Sequence, residues 1–234
     1  MFTGIIQAVA TIENVTDIAG VRTFIIHFPA GFCQDLQIGA SVAIDGTCLT
    51  VTEILDEQTA SFDVILQSLQ ITTLGEYQVG TQVNAERAAK EGAEIGGHPL
   101  SGHIDFTATI LDIRQYDNNF CYRIGVAPQW MKYIFSKGYI AINGTSLTLF
   151  EVNKTEQWFE VWLIPETRRM TVFAQKKAGD RLNVEIERST QVLVDTIHDA
   201  LDEKLGALAP LLEKIMQQHG MDLASNLVQT LPKA

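Results

Sequence analysis

The sequence has few cysteines and few basic residues, and each shortage excludes a class of protein. Its 234 residues contain three cysteines, Cys33, Cys48 and Cys121, and no Cys-x-x-Cys pair. This odd, unpaired set predicts neither a disulfide framework nor a zinc site, and we expect no metal. There are 17 basic residues against 28 acidic ones, a formal net charge of −11. We therefore expect no nucleic-acid partner, because a nucleic-acid-binding protein would present a basic surface.

Long apolar runs are also missing. No apolar stretch reaches the roughly 18 residues that a membrane span needs, and the first residues lack the basic-then-apolar order of a secretory leader. We therefore expect no contact with a membrane and a cytoplasmic location. Hydrophobic residues make up 46% of the chain and charged residues 19%, which is typical of globular proteins. This length predicts one large domain or two small ones.

The sequence does contain an internal repeat. IDGTCLTV at 44–51 corresponds to INGTSLTL at 142–149, 98 positions later. Further matches follow in the same order: TGII at 3–6 with SGHI at 101–104, FDV at 62–64 with FEV at 159–161, and GTQVNAE at 80–86 with GDRLNVE at 179–185. Their offsets are 98, 97 and 99 positions. This order and spacing predict a duplicated domain, so we expect two small domains.

Both halves are predicted to be all-β. Short runs rich in β-branched and aromatic residues, separated by glycines, predict strands. These runs lie at 1–4, 41–52 (with an Asp-Gly turn), 60–64, 82–87, 106–113, 120–126, 139–142, 146–152 and 158–163. Such strands predict a small closed barrel in each half, and we expect two tandem homologous six-stranded Greek-key barrels. Short helical turns are expected at 72–74 and 131–136.

Four segments follow from the repeat. They are an N-terminal barrel at 1–97, which ends in a small, glycine-rich linker at 88–97, a C-terminal barrel at 98–188, a helix at 189–219 and a tail at 220–234. The linker composition is typical of a domain boundary.

The C-terminal helix is predicted from apolar residues that recur every three or four positions. These residues are Leu193, Ile197, Leu201, Leu205 and Leu208. Ser189 is the expected N-cap, and Pro210 is expected to interrupt the helix. The apolar stripe either docks on the barrels or pairs with copies of itself. We favour self-association because the helix is an addition to two complete barrels.

The two repeats differ chemically at matched positions. Cys48 corresponds to Ser146, Ile5 to His103, and Ser41 to Tyr139. A duplicated pocket with unlike side chains indicates two similar ligands that are held in different roles.

An ordered set of motifs resembles the riboflavin synthase family of the alpha, trimeric type. The motifs are MFTGI at 1–5, DGTCLTV at 45–51, GGH at 96–98 with SGH at 101–103, MKYI at 131–134, GTSLT at 144–148 and LIPET at 163–167. Each motif is weak alone, but the ordered set is specific and covers residues 1 to about 205.

The resemblance implies a reaction between two molecules of 6,7-dimethyl-8-ribityllumazine. One molecule donates a four-carbon unit to the other, which gives riboflavin and 5-amino-6-(D-ribitylamino)uracil. The resemblance also implies one lumazine per barrel, no cofactor, and a homotrimer held by the C-terminal helix. The active site then lies between the N-terminal barrel of one subunit and the C-terminal barrel of its neighbour.

The chemistry needs a group that removes a methyl proton and a nucleophile that adds to the second lumazine. His103 is the best candidate for proton transfer because it occurs in one repeat only. The resemblance implies a pocket role for Cys48, although a buried free cysteine is usually structural. Hydroxyls of Ser146 and Thr148 suit a pteridine edge, although threonine also favours strands. His98 is interpreted as structural.

The resemblance implies two sets of site residues. The catalytic candidates are Cys48, His103, Ser146, Ser41, Asn143 and Glu187. The ligand-binding candidates are Phe2, Gly4, Ile5, Ile6, Cys48, Leu49, Thr50, Asp63, Val64, Ile65, Leu66, Gln67, Ser68, Gly102, His103, Ile104, Lys137, Ser146, Leu147, Thr148, Trp162, Leu163, Ile164, Pro165, Glu166 and Thr167.

The chain departs from the family pattern at three places. Leu66-Gln67-Ser68-Leu69 replaces Lys-Glu-Thr-Leu, and Asn143 and Glu187 stand where aspartates are usual. These changes favour a second hypothesis, a lumazine protein that binds one lumazine or flavin as a fluorophore without catalysis. The motifs retained in both repeats favour the enzyme. A purely structural double barrel leaves the unlike polar residues unexplained.

Overall fold

The computed structural model describes residues 1–218, and the chain divides into two units, Met1–Thr190 and Gln191–Ala234. The predicted tail at 220–234 lies outside the described residues. The N-terminal barrel consists of β1 (Ala8–Ile18), β2 (Val21–His27), β3 (Ser41–Ile44), β4 (Thr47–Ile54), β5 (Thr59–Ile65) and β6 (Gln82–Arg87). The C-terminal barrel consists of β7 (Phe106–Tyr116), β8 (Asn119–Gly125), β9 (Tyr139–Ile142), β10 (Thr145–Asn153), β11 (Trp158–Leu163) and β12 (Arg181–Ile186).

Helices are short except at the C-terminal end of the described chain. They are α1 (Leu66–Ile71), α2 (Pro165–Arg169) and α3 (Arg188–Gln218), with 3₁₀ turns at Thr73–Glu76, Pro128–Tyr133 and Val172–Gln175. No described helix is long and apolar enough to cross a membrane.

Both barrels are closed and antiparallel, and they share one strand order. The order is β1-β2-β5-β4-β3-β6 in the first and β7-β8-β11-β10-β9-β12 in the second. The predicted fold class, two homologous six-stranded barrels, is confirmed. Three strands that the sequence did not predict, β1, β2 and β12, complete the barrels. The predicted strand at 1–4 is wrong, because Phe2 forms only an isolated bridge to Leu100.

Strand register corrects one of the repeat matches. Val51 pairs with Phe62 in the first barrel, and Leu149 pairs with Val161 in the second. Since Val51 corresponds to Leu149, Phe62 corresponds to Val161, which is an offset of 99. The expected match of Phe62 with Phe159 is therefore wrong by two residues. Side chains on a strand alternate, so a shift of two keeps the same face and preserves the apparent sequence match.

The β3–β4 and β9–β10 hairpin turns meet between the barrels. Asp45 and Gly46 have φ of 42° and 81°, and Asn143 and Gly144 have φ of 45° and 77°, which suits tight hairpin turns. A Cβ added to Gly46 would lie 2.6 Å from the Gly144 nitrogen. Only glycine therefore allows the two turns to approach this closely.

Two buried asparagines connect the barrels reciprocally. The Asn84 Nδ2 donates to the Asn143 carbonyl at 2.9 Å, and the Asn183 Nδ2 donates to the Asp45 carbonyl at 2.9 Å. Both asparagines are fully buried. The equivalence of Gly46 and Gly144 and these paired bonds agree with a pseudo-two-fold relation between the repeats.

Two buried glutamates hold the segment that precedes each barrel. Glu86 accepts hydrogen bonds from the backbone nitrogens of Thr3 and Gly4 at 2.6 and 3.0 Å. Glu185 accepts equivalent bonds from Ser101 and Gly102 at 2.7 and 3.0 Å. Burial raises the pKa of both glutamates, although these hydrogen bonds oppose the shift.

Helix α3 corrects two expectations. The helix begins at Arg188, so Ser189 lies inside it and is not the N-cap. The Glu187 carboxylate instead accepts from the Ser189 and Thr190 nitrogens at 3.2 and 2.8 Å. The helix also continues through Pro210 to Gln218. Proline removes one hydrogen bond and tends to kink a helix, and it does not always end one.

Candidate functional site

A cleft of 470 Å³ on the C-terminal barrel brings together seven of the predicted site residues of the second repeat. It is lined by Ser136, Lys137, Ser146, Leu147, Thr148, Leu149, Phe150, Trp162, Ile164 and Thr167. The cleft lies over β10 and the end of β11, where outward side chains remain exposed. Its lining combines four hydroxyls, a cation and exposed apolar surface, which suits a heteroaromatic ligand with polar edges.

Lys137 occupies a backbone position that the other repeat fills with glycine. Its φ is +66°, and the equivalent Gly39 has a φ of +87°. The Lys137 nitrogen donates to the Leu149 carbonyl at 2.8 Å, and the Gly39 nitrogen donates to the Val51 carbonyl at the same distance. A non-glycine residue at positive φ costs about 1 kcal/mol. The second repeat therefore carries a strained cation at the edge of its cleft.

Ser146 is held by a histidine that sequence reasoning interpreted as structural. The His98 Nδ1 lies 2.6 Å from the Ser146 Oγ, and the His98 ring stacks on Tyr139 with centroids 5.2 Å apart. Burial lowers the pKa of His98, although the nearby Glu187 opposes the shift. A neutral imidazole therefore orients the Ser146 hydroxyl. His98 belongs to the Gly-Gly-His motif, but its partner Ser146 lies 48 positions away in the sequence. No local sequence pattern therefore predicted this contact.

The N-terminal barrel presents the corresponding predicted residues on an open face. Thr50, Asp63, Ile65, Leu66 and Gln67 are exposed, and they belong to β4, β5 and the start of α1. Ser68 is half-buried, and its carbonyl accepts from Thr72. The exposed side chains of this face are therefore one threonine, one acidic residue, one glutamine and two aliphatic residues.

Cys48 lies at the edge of this face, beside a segment of the other repeat. Its backbone nitrogen donates to the Gly102 carbonyl at 2.8 Å. A Cβ added to Gly102 would lie 2.6 Å from the Cys48 Cβ and 2.8 Å from the Phe2 ring. Phe2 is 1% exposed, so it packs beneath the contact and supports the segment.

The same exchange occurs in reverse at the C-terminal cleft. The Ser146 nitrogen donates to the Gly4 carbonyl at 2.8 Å, and a Cβ added to Gly4 would lie 2.5 Å from the Ser146 Cβ. The residue after each glycine is exposed, Ile5 at one contact and His103 at the other. Each barrel therefore receives the leading segment of the other repeat, and the two segments deliver unlike side chains.

Several predicted ligand-binding residues lie in the interior instead. These are Ile6, Leu49, Val64, Ile104, Leu147 and Leu163, all buried. Leu147 still contributes to the cleft lining. Pro165 and Glu166 are exposed on α2, and Glu166 pairs with Arg169 at 2.7 Å. The structure does not place Pro165 or Glu166 among the residues that line the cleft.

Asn143 lies far from an open surface. It is fully buried at the contact between the barrels, where its Oδ1 accepts from the Asn183 nitrogen at 2.7 Å. Its Nδ2 has no hydrogen-bond partner among the described residues. The equivalent Asp45 accepts from the Asn84 nitrogen at 2.8 Å and from the Tyr77 hydroxyl. Burial raises the pKa of Asp45 to about 6, against the opposing effect of Lys176.

Glu187 and Ser41 also make structural contacts. Partial burial disfavours ionised Glu187, but hydrogen bonds from Ser189 and Thr190 outweigh it and lower its pKa to about 2. Ser41 is half-buried, and its carbonyl accepts from the Ala88 nitrogen at 3.0 Å. These geometries give both residues a supporting position beside the linker and the start of α3.

Comparison with known families identifies the repeated unit. The model of the lumazine binding domain matches the chain twice, at residues 3–88 and 101–187. The chain belongs to the lumazine-binding family. The resemblance inferred from the motifs is thereby confirmed, and the two matches fall on the two barrels.

Individual members of the lumazine-binding family resemble the chain over most of its length. Riboflavin synthase of Escherichia coli (strain K12) is 45% identical over 209 residues, which are 89% of this chain and 97% of the relative. The crystal structure of LumP complexed with riboflavin has a TM-score of 0.74 and 26% identity, and covers 80% of this chain and 100% of that chain. The crystal structure of LumP complexed with 6,7-dimethyl-8-(1'-D-ribityl) lumazine has a TM-score of 0.72 and 25% identity. This match covers 80% of this chain and 99% of that chain.

Proposed function

We propose that this protein is a riboflavin synthase. It converts two molecules of 6,7-dimethyl-8-ribityllumazine into riboflavin and 5-amino-6-(D-ribitylamino)uracil. The two products contain all the atoms of the two substrates, so the reaction needs no external oxidant or reductant. Membership of the lumazine-binding family and the relatives that carry this name support the reaction.

The observation that carries the proposal is the reciprocal exchange of leading segments. Cys48 meets Gly102 and Ser146 meets Gly4 through equivalent hydrogen bonds of 2.8 Å. The exchange supports two ligand sites that share one backbone framework, and we take residues 1–97 and 98–188 as the two lumazine-binding units. It also makes the sites unlike, since His103 serves the first and Ile5 serves the second.

The unlike side chains divide the chemistry between the sites. His103 transfers the methyl proton, because an imidazole can accept and donate a proton and an isoleucine side chain cannot. Cys48 acts as the nucleophile or as a polar contact at the first site. At the second site Thr148 and the Ser146 hydroxyl, oriented by His98, hold the pteridine edge, and Lys137 attracts its electron-rich part. The framework around these groups is completed by four supporting residues, Phe2, Ser41, Asn143 and Glu187.

The remaining predicted residues divide in the same way. The first site comprises Leu49, Thr50, the segment from Asp63 to Ser68, and residues 102–104. The second site comprises residues 4–6, Leu147 and the segment from Trp162 to Thr167. Burying two ring systems side by side converts a two-molecule reaction into one within a complex, which supplies much of the acceleration.

Incubation of the protein with the lumazine tests the reaction. We expect riboflavin and the uracil to form in equal amounts, with two lumazines consumed for each riboflavin, as measured by absorbance after chromatography. Lumazine that binds tightly and fluoresces but is never converted would instead establish the non-catalytic alternative. The three departures from the family pattern, at Leu66-Gln67-Ser68-Leu69, Asn143 and Glu187, are the features that favour that alternative.

A homotrimer is part of the proposal. Leu193, Ile197 and Leu201 are 61%, 49% and 51% exposed in the single chain, and burying such a stripe against copies of itself would stabilise an assembly. Analytical ultracentrifugation of a variant that lacks residues 190–234 should give species smaller than the full chain. A truncated protein that still sediments as a trimer would contradict this role of the helix.

A further inference from the structure

The C-terminal cleft has an aromatic wall, formed by Tyr116, Phe150 and Trp162. The Trp162 ring stacks on Tyr116 with centroids 5.0 Å apart, and Phe150 meets Trp162 edge-on at 5.7 Å. Phe150 and Trp162 line the cleft, and 59% and 38% of their surfaces are exposed. Aromatic rings of this size are usually buried, so their exposure inside a cleft indicates a surface that a ligand covers.

The N-terminal barrel has no equivalent wall. Strand register places Asp63 where the second repeat has Trp162, and Thr52 and Ile18 where it has Phe150 and Tyr116. Asp63 accepts a hydrogen bond from the Thr23 hydroxyl at 2.6 Å. The aromatic wall is therefore a property of one site only, and the shared barrel fold does not require it.

We infer that Trp162 sets the ligand preference of the C-terminal cleft and favours a three-ring flavin over a two-ring lumazine. The inference rests on the proposed function. An indole stacks on a planar heteroaromatic ring by dispersion and electrostatics, and the gain grows with the area of overlap. Riboflavin offers a third ring that lumazine lacks, so it gains more from the same wall.

The backing of Trp162 fits this role. Tyr116 covers the indole on one side and limits its rotation, so little side-chain freedom is lost when a ligand binds. Ser146, Thr148 and Lys137 lie in the same cleft and hold the polar edge of either ligand. The polar groups therefore distinguish only weakly between lumazine and riboflavin. The aromatic wall provides the stronger distinction.

Replacing Trp162 tests the inference through binding. The full-length protein, Trp162→Leu, Trp162→Phe and the control Trp130→Phe are titrated separately with riboflavin and with the lumazine. Trp130 stacks on Phe106 and does not line the cleft. In Trp162→Leu we expect riboflavin to bind roughly three- to tenfold more weakly at one class of site, with a smaller loss for lumazine. Trp162→Phe should retain most of the preference, and Trp130→Phe should match the unmodified protein.

A gain of function provides the reverse test. Asp63→Trp places an indole at the equivalent position of the first site, where we expect tighter binding of riboflavin relative to lumazine. An unchanged ratio of the two affinities in both Trp162→Leu and Asp63→Trp would overturn the inference and leave the proposed function intact. An unmodified protein that binds neither ligand would overturn both.

Discussion

The two barrels share a backbone but differ on the surfaces that face the proposed ligand sites. Buried positions that shape the backbone are paired across the repeats, as in Glu86 with Glu185 and Gly4 with Gly102. Outward positions on the equivalent strands have diverged, as in Asp63 against Trp162. The comparison indicates that the two repeats keep the same buried framework residues and differ in the outward side chains that would contact a ligand. Sites that are alike in framework and unlike in side chains suit two copies of one substrate with different fates.

The largest expected effect comes from the residue that differs most between the exchanged segments. His103→Gln keeps a hydrogen-bonding side chain but removes the imidazole that would accept and release the methyl proton. We expect riboflavin formation to slow by roughly 10²–10⁴-fold, the usual cost of losing a general acid–base, with little change in lumazine affinity. Ile5→Gln is the matched control and should slow turnover far less. Equal effects of the two changes, in steady-state rates, would contradict the division of roles.

The shared framework is tested by a glycine at one of the exchange contacts. Gly102→Ala adds a methyl group 2.6 Å from the Cys48 Cβ at a φ of +79°. We expect a loss of roughly 3 kcal/mol in the free energy of unfolding, from strain and overpacking together. Gly20→Ala has a φ of +82° but nothing within 4 Å, so it should cost only about 1 kcal/mol. Denaturant titration compares the two variants, and similar losses would mean that the close approach does not matter.

Asp45 and Asn143 occupy equivalent buried positions in the two repeats, and only the aspartate is expected to make the free energy of unfolding depend on pH. The pKa of Asp45 is about 6 in the fold, so the folded state binds more protons than the unfolded state between about pH 4 and 6. Stability should therefore fall as the pH rises through this range, by at most about 3 kcal/mol. Asp45→Asn should remove this fall, as measured by unfolding at several pH values.

Asn143→Asp should introduce the same dependence in the second repeat. It replaces an unpartnered Nδ2 with a buried carboxylate oxygen, so we expect a loss of about 2 kcal/mol at pH 7 that recovers near pH 4. The family pattern, in which aspartate is usual here, predicts that this variant has higher activity if the catalytic apparatus has been eroded. Stability that is unchanged by Asn143→Asp at pH 7 would contradict the structural explanation.

Glu187 has the smallest expected effect and no equivalent in the first repeat. Its pKa is lowered to about 2, so its contribution to stability is present above about pH 4.5 and is lost as the pH falls toward 2. Glu187→Gln should reduce the loss of unfolding free energy at acid pH by about 1 kcal/mol. The effect is this small because the group is partly exposed and screened. If the unfolding free energy of the variant depends on acid pH in the same way as that of the unmodified protein, Glu187 does not stabilise the start of α3.

The sequence predicted what short motifs encode. The hairpins around Gly46 and Gly144, the repeat and the family were all readable, because turns and alternating strands leave local patterns. Strand β1 was missed because only its first five residues alternate between buried and less buried positions. Strand β12 was missed because Asn183 and Glu185 are polar, and their burial depends on partners more than 40 positions away.

The site was only partly predictable for the same reason. Cys48, Ser146 and Thr148 were predicted as site residues because they belong to a repeated motif. The exchange of leading segments, the contact of His98 with Ser146 and the burial of Asn143 all depend on long-range packing, which no local pattern encodes. The aromatic wall is spread over three strands, so Tyr116 and Phe150 carried no signal until the strands were in register.

The number of riboflavin molecules bound per chain tests the central claim of two unlike sites most directly. Equilibrium dialysis of the full-length protein against riboflavin, which is not itself consumed, should reach two molecules per chain with two distinct affinities. A plateau at one molecule per chain would contradict the account and favour a chromoprotein with a single fluorophore. Two molecules with identical affinities would leave the repeat intact but contradict the chemical difference between its halves.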